Sequence, residues 1–275
     1  MELDDALGVE VQDAQTYMEG TKSAPIPEGK SRIIAFFSAR RSTAELGRQI
    51  DGLFDDLDIV SISDYGDRSW ETAWMDYFES MSLSPRVDVG PPWDLPERPE
   101  DGLALVIEPG MAFGTGSHAT TRLSAAFLDE LLADGSAESV LDVGCGSAIL
   151  SMVASGLGAR RVVGIDIEAR AVEAAETNIE KNGFSPDEIE LSTRPLSSIS
   201  EKFDVVVANI LTPVLLELRE QLQARVVDGG DLLLSGISGD QLDDLRAEFD
   251  HPAFTEVETT ARDQWRAIHY RRTTR

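Results

Sequence analysis

Residues 139–166, SVLDVGCGSAILSMVASGLGARRVVGID, constrain the fold more than any other part of the chain. Val140, Leu141 and Val143 form a short apolar run of the kind that is buried on both faces of a sheet. Gly144-Cys145-Gly146 follows. Two positions without a Cβ allow a tight turn and a close approach of backbone to a ligand. Residues 149–157 have helical spacing, and residues 161–165 read as a second buried strand that closes on Asp166. Strand, turn, helix, strand and acid in this order make a βαβ unit of a doubly wound α/β sheet, where ligands cross the carboxyl ends of the strands. Such a ligand meets bare backbone and helix-terminal amides at the glycines. At Asp166 it meets a carboxylate suited to accepting two ribose hydroxyls.

The turn also narrows the choice of nucleotide. A dinucleotide fingerprint places a third glycine or alanine where this chain has Ile149, and a P-loop requires Gly-Lys-Ser/Thr, which is absent. The remaining common occupant of this geometry is S-adenosylmethionine. The order acid-x-Gly-x-Gly, with Asp142 as the acid, resembles the first motif of class I methyltransferases. The alternative is a βαβ unit whose glycines serve the turn alone.

The chain of 275 residues suffices for one large α/β domain and a smaller one. No apolar run approaches the ~18 residues of a membrane helix. The amino terminus, MELDDALG, lacks the basic and apolar regions of a signal peptide. The single cysteine, Cys145, excludes an internal disulfide and a cysteine-rich metal site, so a cytoplasmic protein without a metal is expected. The formal net charge is −26, and lysine occurs only at Lys22, Lys30, Lys181 and Lys202. Acid-rich, lysine-poor surfaces suit a cytoplasm near molar salt, where the Debye length falls to ~3 Å and self-repulsion is screened. A halophilic source is therefore expected; the competing reading is an acidic surface that recruits a basic partner. Either reading disfavours a nucleic-acid substrate, because no basic stripe offers phosphate contacts. A monomer that contacts no membrane is expected.

Residues 1–66 read as a small α+β domain. Strand candidates lie at 9–11, 31–37 and 58–63, with a proline-containing loop over 20–30. A helix capped by Ser42 or Thr43 runs through Leu46, Ile50 and Phe54. Residues 67–100 read as a linker. Trp70, Trp74, Tyr77 and Phe78 share one helical face there, as a docking surface between domains, and PPWDLPERPED is a semi-rigid end. Residues 101–275 form the nucleotide domain. Its first strand, 103–107, leads into EPGMAFGTGSHATT, a loop able to fold over a ligand, and then into a helix capped by Ser117 or Thr120. His118 is a candidate general base, although a histidine at a helix entry more often orients the loop.

Beyond Asp166, an amphipathic helix over 169–182 stops at Gly183, and strands are expected at 189–192, 203–208 and 231–235. Pro213 opens a helix that reaches about Val226, another spans 241–249, and residues 254–260 and 265–270 form an antiparallel closing pair. The whole is a seven-stranded doubly wound sheet.

EPGMAFGTGSHATT, LDVGCGSAIL and VANIL, in this order and spacing, together resemble the ribosomal protein L11 methyltransferase family, PrmA. The resemblance extends from Trp70 to about Leu234. It implies a class I methyltransferase (Rossmann-like) fold, S-adenosyl-L-methionine as methyl donor, and methylation of amino groups of ribosomal protein L11. By position it implies cofactor contacts at Phe113, Gly114, Thr115 and Thr121 in the loop, Gly144 and Gly146 in the turn, Asp166 at the ribose, and Asn209 after the fourth strand.

Three features depart from the family pattern. Ala148 stands where the turn usually has its third glycine, and DIEA replaces DIDP while keeping Asp166. The third is the amino-terminal unit, which in the family resembles a ferredoxin-like βαββαβ domain that recognises the ribosomal protein. Against that pattern this chain begins near the end of the first helix, so the domain reads as truncated.

The expected reaction is in-line displacement of the sulfonium methyl by a neutral amine. Asn209 is the expected catalytic residue, accepting a hydrogen bond from that amine, and Cys145 is a small turn residue. The rival readings are a methyltransferase of the same fold acting on another protein or a small molecule, and a nucleotide-binding oxidoreductase.

Overall fold

The computed structural model describes residues 6–13, 31–37, 79–107 and 116–274. The chain divides into two compact units, Met1–Phe78 and Glu79–Arg275. In the first, β1 (Ala6–Asp13) pairs antiparallel with β2 (Ser31–Phe37), with Val9 opposite Ala35 and Val11 opposite Ile33. The expected loop over 20–30, the helix through Leu46, the strand over 58–63 and the Trp70–Phe78 aromatic face lie outside the described residues.

The second unit starts earlier than the sequence reading places it. β3 (Met81–Ser84) and β4 (Val87–Gly90) form an antiparallel pair, and β5 (Leu103–Val106) adds in parallel to β4. Residues 79–100 are thus part of this unit rather than a spacer. The proline-rich stretch is folded against β4: Asp94 accepts from the Ser80 amide at 2.6 Å, and a Cβ on Gly90 would lie 2.4 Å from the Asp94 carbonyl oxygen. Strands of four residues carry too little alternation to be read from sequence, and the prolines that flank them mimic a linker.

The main sheet has seven strands in the order β11-β12-β10-β9-β6-β7-β8. They are β6 (Ser139–Val143), β7 (Arg161–Ile165), β8 (Ile189–Ser192), β9 (Phe203–Asn209), β10 (Val226–Ser238), β11 (Phe254–Arg262) and β12 (Trp265–Arg272). β10 to β8 run parallel and β12 runs antiparallel to both its neighbours. The described helices are α1 (Ala119–Leu131), α2 (Ile149–Gly156), α3 (Ala169–Lys181), α4 (Thr212–Ala224) and α5 (Leu242–Phe249). The chain leaves β6 toward β7 and β8, then returns to place β9 on the other side of β6. That reversal opens a crevice at the carboxyl ends of β6 and β9.

Helices on both faces explain the nearly continuous apolar strands. In β9, Val205 and Val207 join the core on the α1–α2 side while Val206 and Ala208 join the α4–α5 side. β10 exceeds the expected 231–235 because two register shifts, after Val226 and after Leu234, carry it through Gly229 and Gly236 instead of ending it. Arg86 locks α1 to the β3–β4 turn, donating from its amide and Nε to the Asp129 carboxylate at 2.9 and 2.5 Å. No described helix is long and apolar enough to cross a membrane.

Candidate active site

The β6–α2 turn is built from left-handed residues. Gly144, Gly146 and Ala148 have φ of 75°, 53° and 62°. Ala148, fully buried at the α2 N-cap, accepts a conformation that disfavours L-residues by ~1–2 kcal/mol, which explains the glycine usual at that position. The Gly144 and Cys145 amides both donate to the Ile165 carbonyl, at 2.8 and 3.0 Å, and pin the turn over the end of β7. Asp166 follows immediately. Its Oδ2 accepts from the Gly146 amide and its Oδ1 from the Glu168 amide, both at 3.0 Å. Each oxygen keeps a lone pair free for a ligand hydroxyl.

On the other side of the crevice, Ile210 packs onto the turn: a Cβ on Gly144 would fall 2.3 Å from Ile210 Cγ2. Asn209, at the end of β9, has its Oδ1 buried without a hydrogen-bond partner. Its ladder neighbour Ser235 donates from Oγ to the Thr120 carbonyl at 3.1 Å, tying the first turn of α1 to the same edge. Thr121 is fully buried there, and its Oγ1 also lacks a partner. The structure therefore brings Gly144, Gly146, Asp166, Asn209 and Thr121 to one sheet edge. Phe113, Gly114 and Thr115 lie outside the described residues.

Two expectations change. His118, not Ser117 or Thr120, caps α1: its Nδ1 lies 2.7 Å from Thr120 Oγ1 and accepts from the Thr120 amide at 3.4 Å. Thr121 is consequently helical rather than part of the loop. Burial lowers the His118 pKa, and its ring meets Trp265 edge-on at 4.9 Å. These contacts hold the ring at the start of α1. Burial pushes the Cys145 thiol pKa up, consistent with a turn residue and not a nucleophile.

Sequence reading missed Ile210 and Gly236. A Cβ on Gly236 would lie 2.2 Å from the Ile210 carbonyl oxygen, so the β10 bulge makes room for the loop that carries Asn209. The glycine that interrupts LLLSGIS was the available signal.

Beneath the turn, Asp142 is buried, its Oδ2 accepting from Ser151 Oγ at 2.7 Å and its Oδ1 unpartnered. Burial pushes its pKa up to about 6, against the opposing Ser151 hydrogen bonds and with a further rise from the Asp166 charge. The folded value exceeds the unfolded ~3.9, so the native state binds this proton more tightly. The group favours the fold fully below pH ~4, and that contribution is lost as pH rises through about 6. Asp142→Asn is expected to gain stability relative to the wild type across this window, by up to about 3 kcal/mol at neutral pH. Urea denaturation at a series of pH values measures the difference; a pH-independent difference would refute a raised Asp142 pKa.

A crevice at the switch point, buried acceptors without partners and a glycine cradle describe a nucleoside-binding edge, and comparison with known proteins identifies its kind. Residues 1–273 match the profile of a family described as ribosomal protein L11 methyltransferase (PrmA). The chain belongs to that family. A relative from Myxococcus xanthus, named ribosomal protein L11 methyltransferase, is 35% identical over 268 residues, covering 97% of this chain and 90% of its own. One of the same name from Pelobacter propionicus is 40% identical over 218 residues, covering 78% and 70%. A crystal structure of a ribosomal protein L11 methylase from Lactobacillus delbrueckii subsp. bulgaricus superposes with a TM-score of 0.62 at 30% identity, over 71% of this chain and 99% of that one. Membership makes this chain an S-adenosylmethionine-dependent methyltransferase with the class I fold.

Proposed function

We propose that this enzyme methylates amino groups of ribosomal protein L11, on lysine side chains, the N-terminal amine or both, with Asn209 positioning the acceptor. The buried, unpartnered Oδ1 of Asn209 at the switch point carries this reading. S-adenosylmethionine, when bound, supplies a methyl group already activated on a sulfonium. Gly144 and Gly146 form the positive-φ turn that faces it, the Asp166 carboxylate serves its ribose hydroxyls, and Thr121 Oγ1 offers a further polar contact. Phe113, Gly114 and Thr115 belong to the same cofactor set by their place in the family loop.

The acceptor amine must arrive without its proton. An unperturbed lysine amine has a pKa of ~10.4 and an α-amine ~7.7–8.0, so desolvation at the crevice has more to do for lysine. Asn209 Oδ1 accepts one N–H and leaves the lone pair directed away from it. No side chain is assigned as a general base.

Residues 1–66 serve acceptor recognition in this reading, and residues 101–275 hold the cofactor. The charge of −26 with few lysines supports a cytoplasmic enzyme working near molar salt.

Mass spectrometry of the source organism's L11 after incubation with enzyme and S-adenosylmethionine tests the proposal, at low and at molar salt. Mass gains in steps of one methylene are expected, larger in molar salt. No gain, with cofactor still bound, would leave the methyltransferase fold and remove L11 as acceptor. A faster reaction at low salt would remove the halophilic reading.

A further inference from the structure

Helix α1 and the tip of the β11–β12 hairpin bring two arginines near each other, and among the described residues neither forms an ion pair. Arg122, on α1, donates from Nη2 to the Ser82 carbonyl at 2.9 Å, while its Nε is buried and has no acceptor. Arg262 is exposed and ends β11 directly opposite Trp265. Cross-strand partners project from the same face of a sheet, and Trp265 faces α1, where its ring meets His118. Arg262 therefore lies on the α1 side. Burial lowers the Arg122 pKa, and the nearby positive charge of Arg262 lowers it further.

Several arginines of this unit find acids, as Arg86 does with Asp129, Arg219 with Glu248, Arg246 with Glu256 and Arg271 with Asp231, while Arg98, Arg225 and Arg266 donate to backbone carbonyls. Among the described residues, Arg122 and Arg262 form no such pair, in a chain with 50 Asp and Glu against 24 Lys and Arg. Holding a partly buried guanidinium beside a second one opposes the fold unless an anion joins them.

We propose that Arg122 and Arg262 clamp one acidic side chain of the protein acceptor and so set the register in which its amine meets Asn209. The proposal rests on the reading of the acceptor as a protein. The pair lies toward the same sheet edge as Asn209: Arg262 is three strand spacings away across β10 and β12 and three residues further along, level with Ser238 rather than Ser235, or about 17 Å at the usual strand dimensions. An extended segment covers that span in about five residues. The surrounding charge favours a protein carboxylate over a phosphate. A surface of net −26 repels a polyanion and attracts a basic protein, and an isolated positive spot within it selects a partner with an acid at the matching place.

Steady-state methylation of L11 by Arg262→Gln and Arg262→Glu tests this, alongside equilibrium binding of S-adenosylhomocysteine. The acceptor KM is expected to rise about tenfold in Arg262→Gln and further in Arg262→Glu, with the S-adenosylhomocysteine affinity unchanged. Arg122→Gln is expected to repeat the KM effect, and combining it with Arg262→Gln should add little more. Unchanged acceptor KM in both Arg262 variants would overturn the proposal while wild-type methylation left the reading of function intact. Weakened S-adenosylhomocysteine binding would assign the pair to the cofactor, and an effect confined to RNA-bound L11 would assign it to a phosphate; either overturns it. A wild type that adds no methyl to L11 removes both readings together.

Discussion

Asn209→Ala is expected to lower kcat by roughly a hundredfold or more and to weaken S-adenosylhomocysteine binding by a much smaller factor. The side chain ends β9 at the crevice, and its Oδ1 is buried with nothing to accept from. In the free enzyme that oxygen has lost water without gaining a partner, which opposes folding by about 1–3 kcal/mol. Removing it should therefore leave the melting temperature unchanged or raise it. Loss of turnover without loss of stability separates a functional acceptor from a structural one. Single-turnover methylation and thermal melts on the same preparation provide both readings. Turnover near the wild-type rate would exclude Asn209 as the positioning group, and a strongly lowered melting temperature would assign it to the fold.

Gly144→Ala is expected to weaken cofactor binding by at least about tenfold and to destabilise the protein by roughly 2–4 kcal/mol. Two effects combine. The residue sits at φ 75°, where a Cβ is unfavourable, and that Cβ would lie 2.3 Å from Ile210 Cγ2. Cγ2 is joined directly to the branched Cβ of Ile210, so relief requires moving the residue next to Asn209 and not merely the end of a long side chain. The added methyl thus displaces both walls of the crevice. Adding Ile210→Ala to Gly144→Ala should recover the part due to the clash and leave the part due to φ, a coupling that a double-mutant cycle measures. Isothermal titration with S-adenosylhomocysteine and urea denaturation supply the data. Wild-type affinity in Gly144→Ala would show that the cofactor does not approach this turn.

Much of the site was legible before any coordinates. Gly144, Gly146 and Asp166 belong to one continuous βαβ unit, so their neighbourhood follows from local geometry: a strand, a turn that needs positive φ, and a helix returning to the next parallel strand. Asn209 could be placed at a strand end for the same reason. The central strands of the main sheet were readable because both faces are covered by helices, which makes runs such as VVVA (205–208) apolar throughout. The short strands β3 and β4 were not readable, since four residues carry only two periods of alternation and their stability comes from the three-stranded sheet they complete with β5.

The local chain alone determined the βαβ unit, its glycine turn and its acid, because those depend on backbone freedom and on hydrogen bonds between near neighbours. The motif order further implied a methyltransferase family. Tertiary structure decided what depends on contacts between distant segments. Ile210 closes over Gly144, the bulge at Gly236 seats the Asn209 loop, His118 rather than Ser117 caps α1, and Arg262 comes near enough to Arg122 to act on its charge. The two come near each other only when α1 packs against the β11–β12 hairpin, and no pattern within either segment encodes that packing.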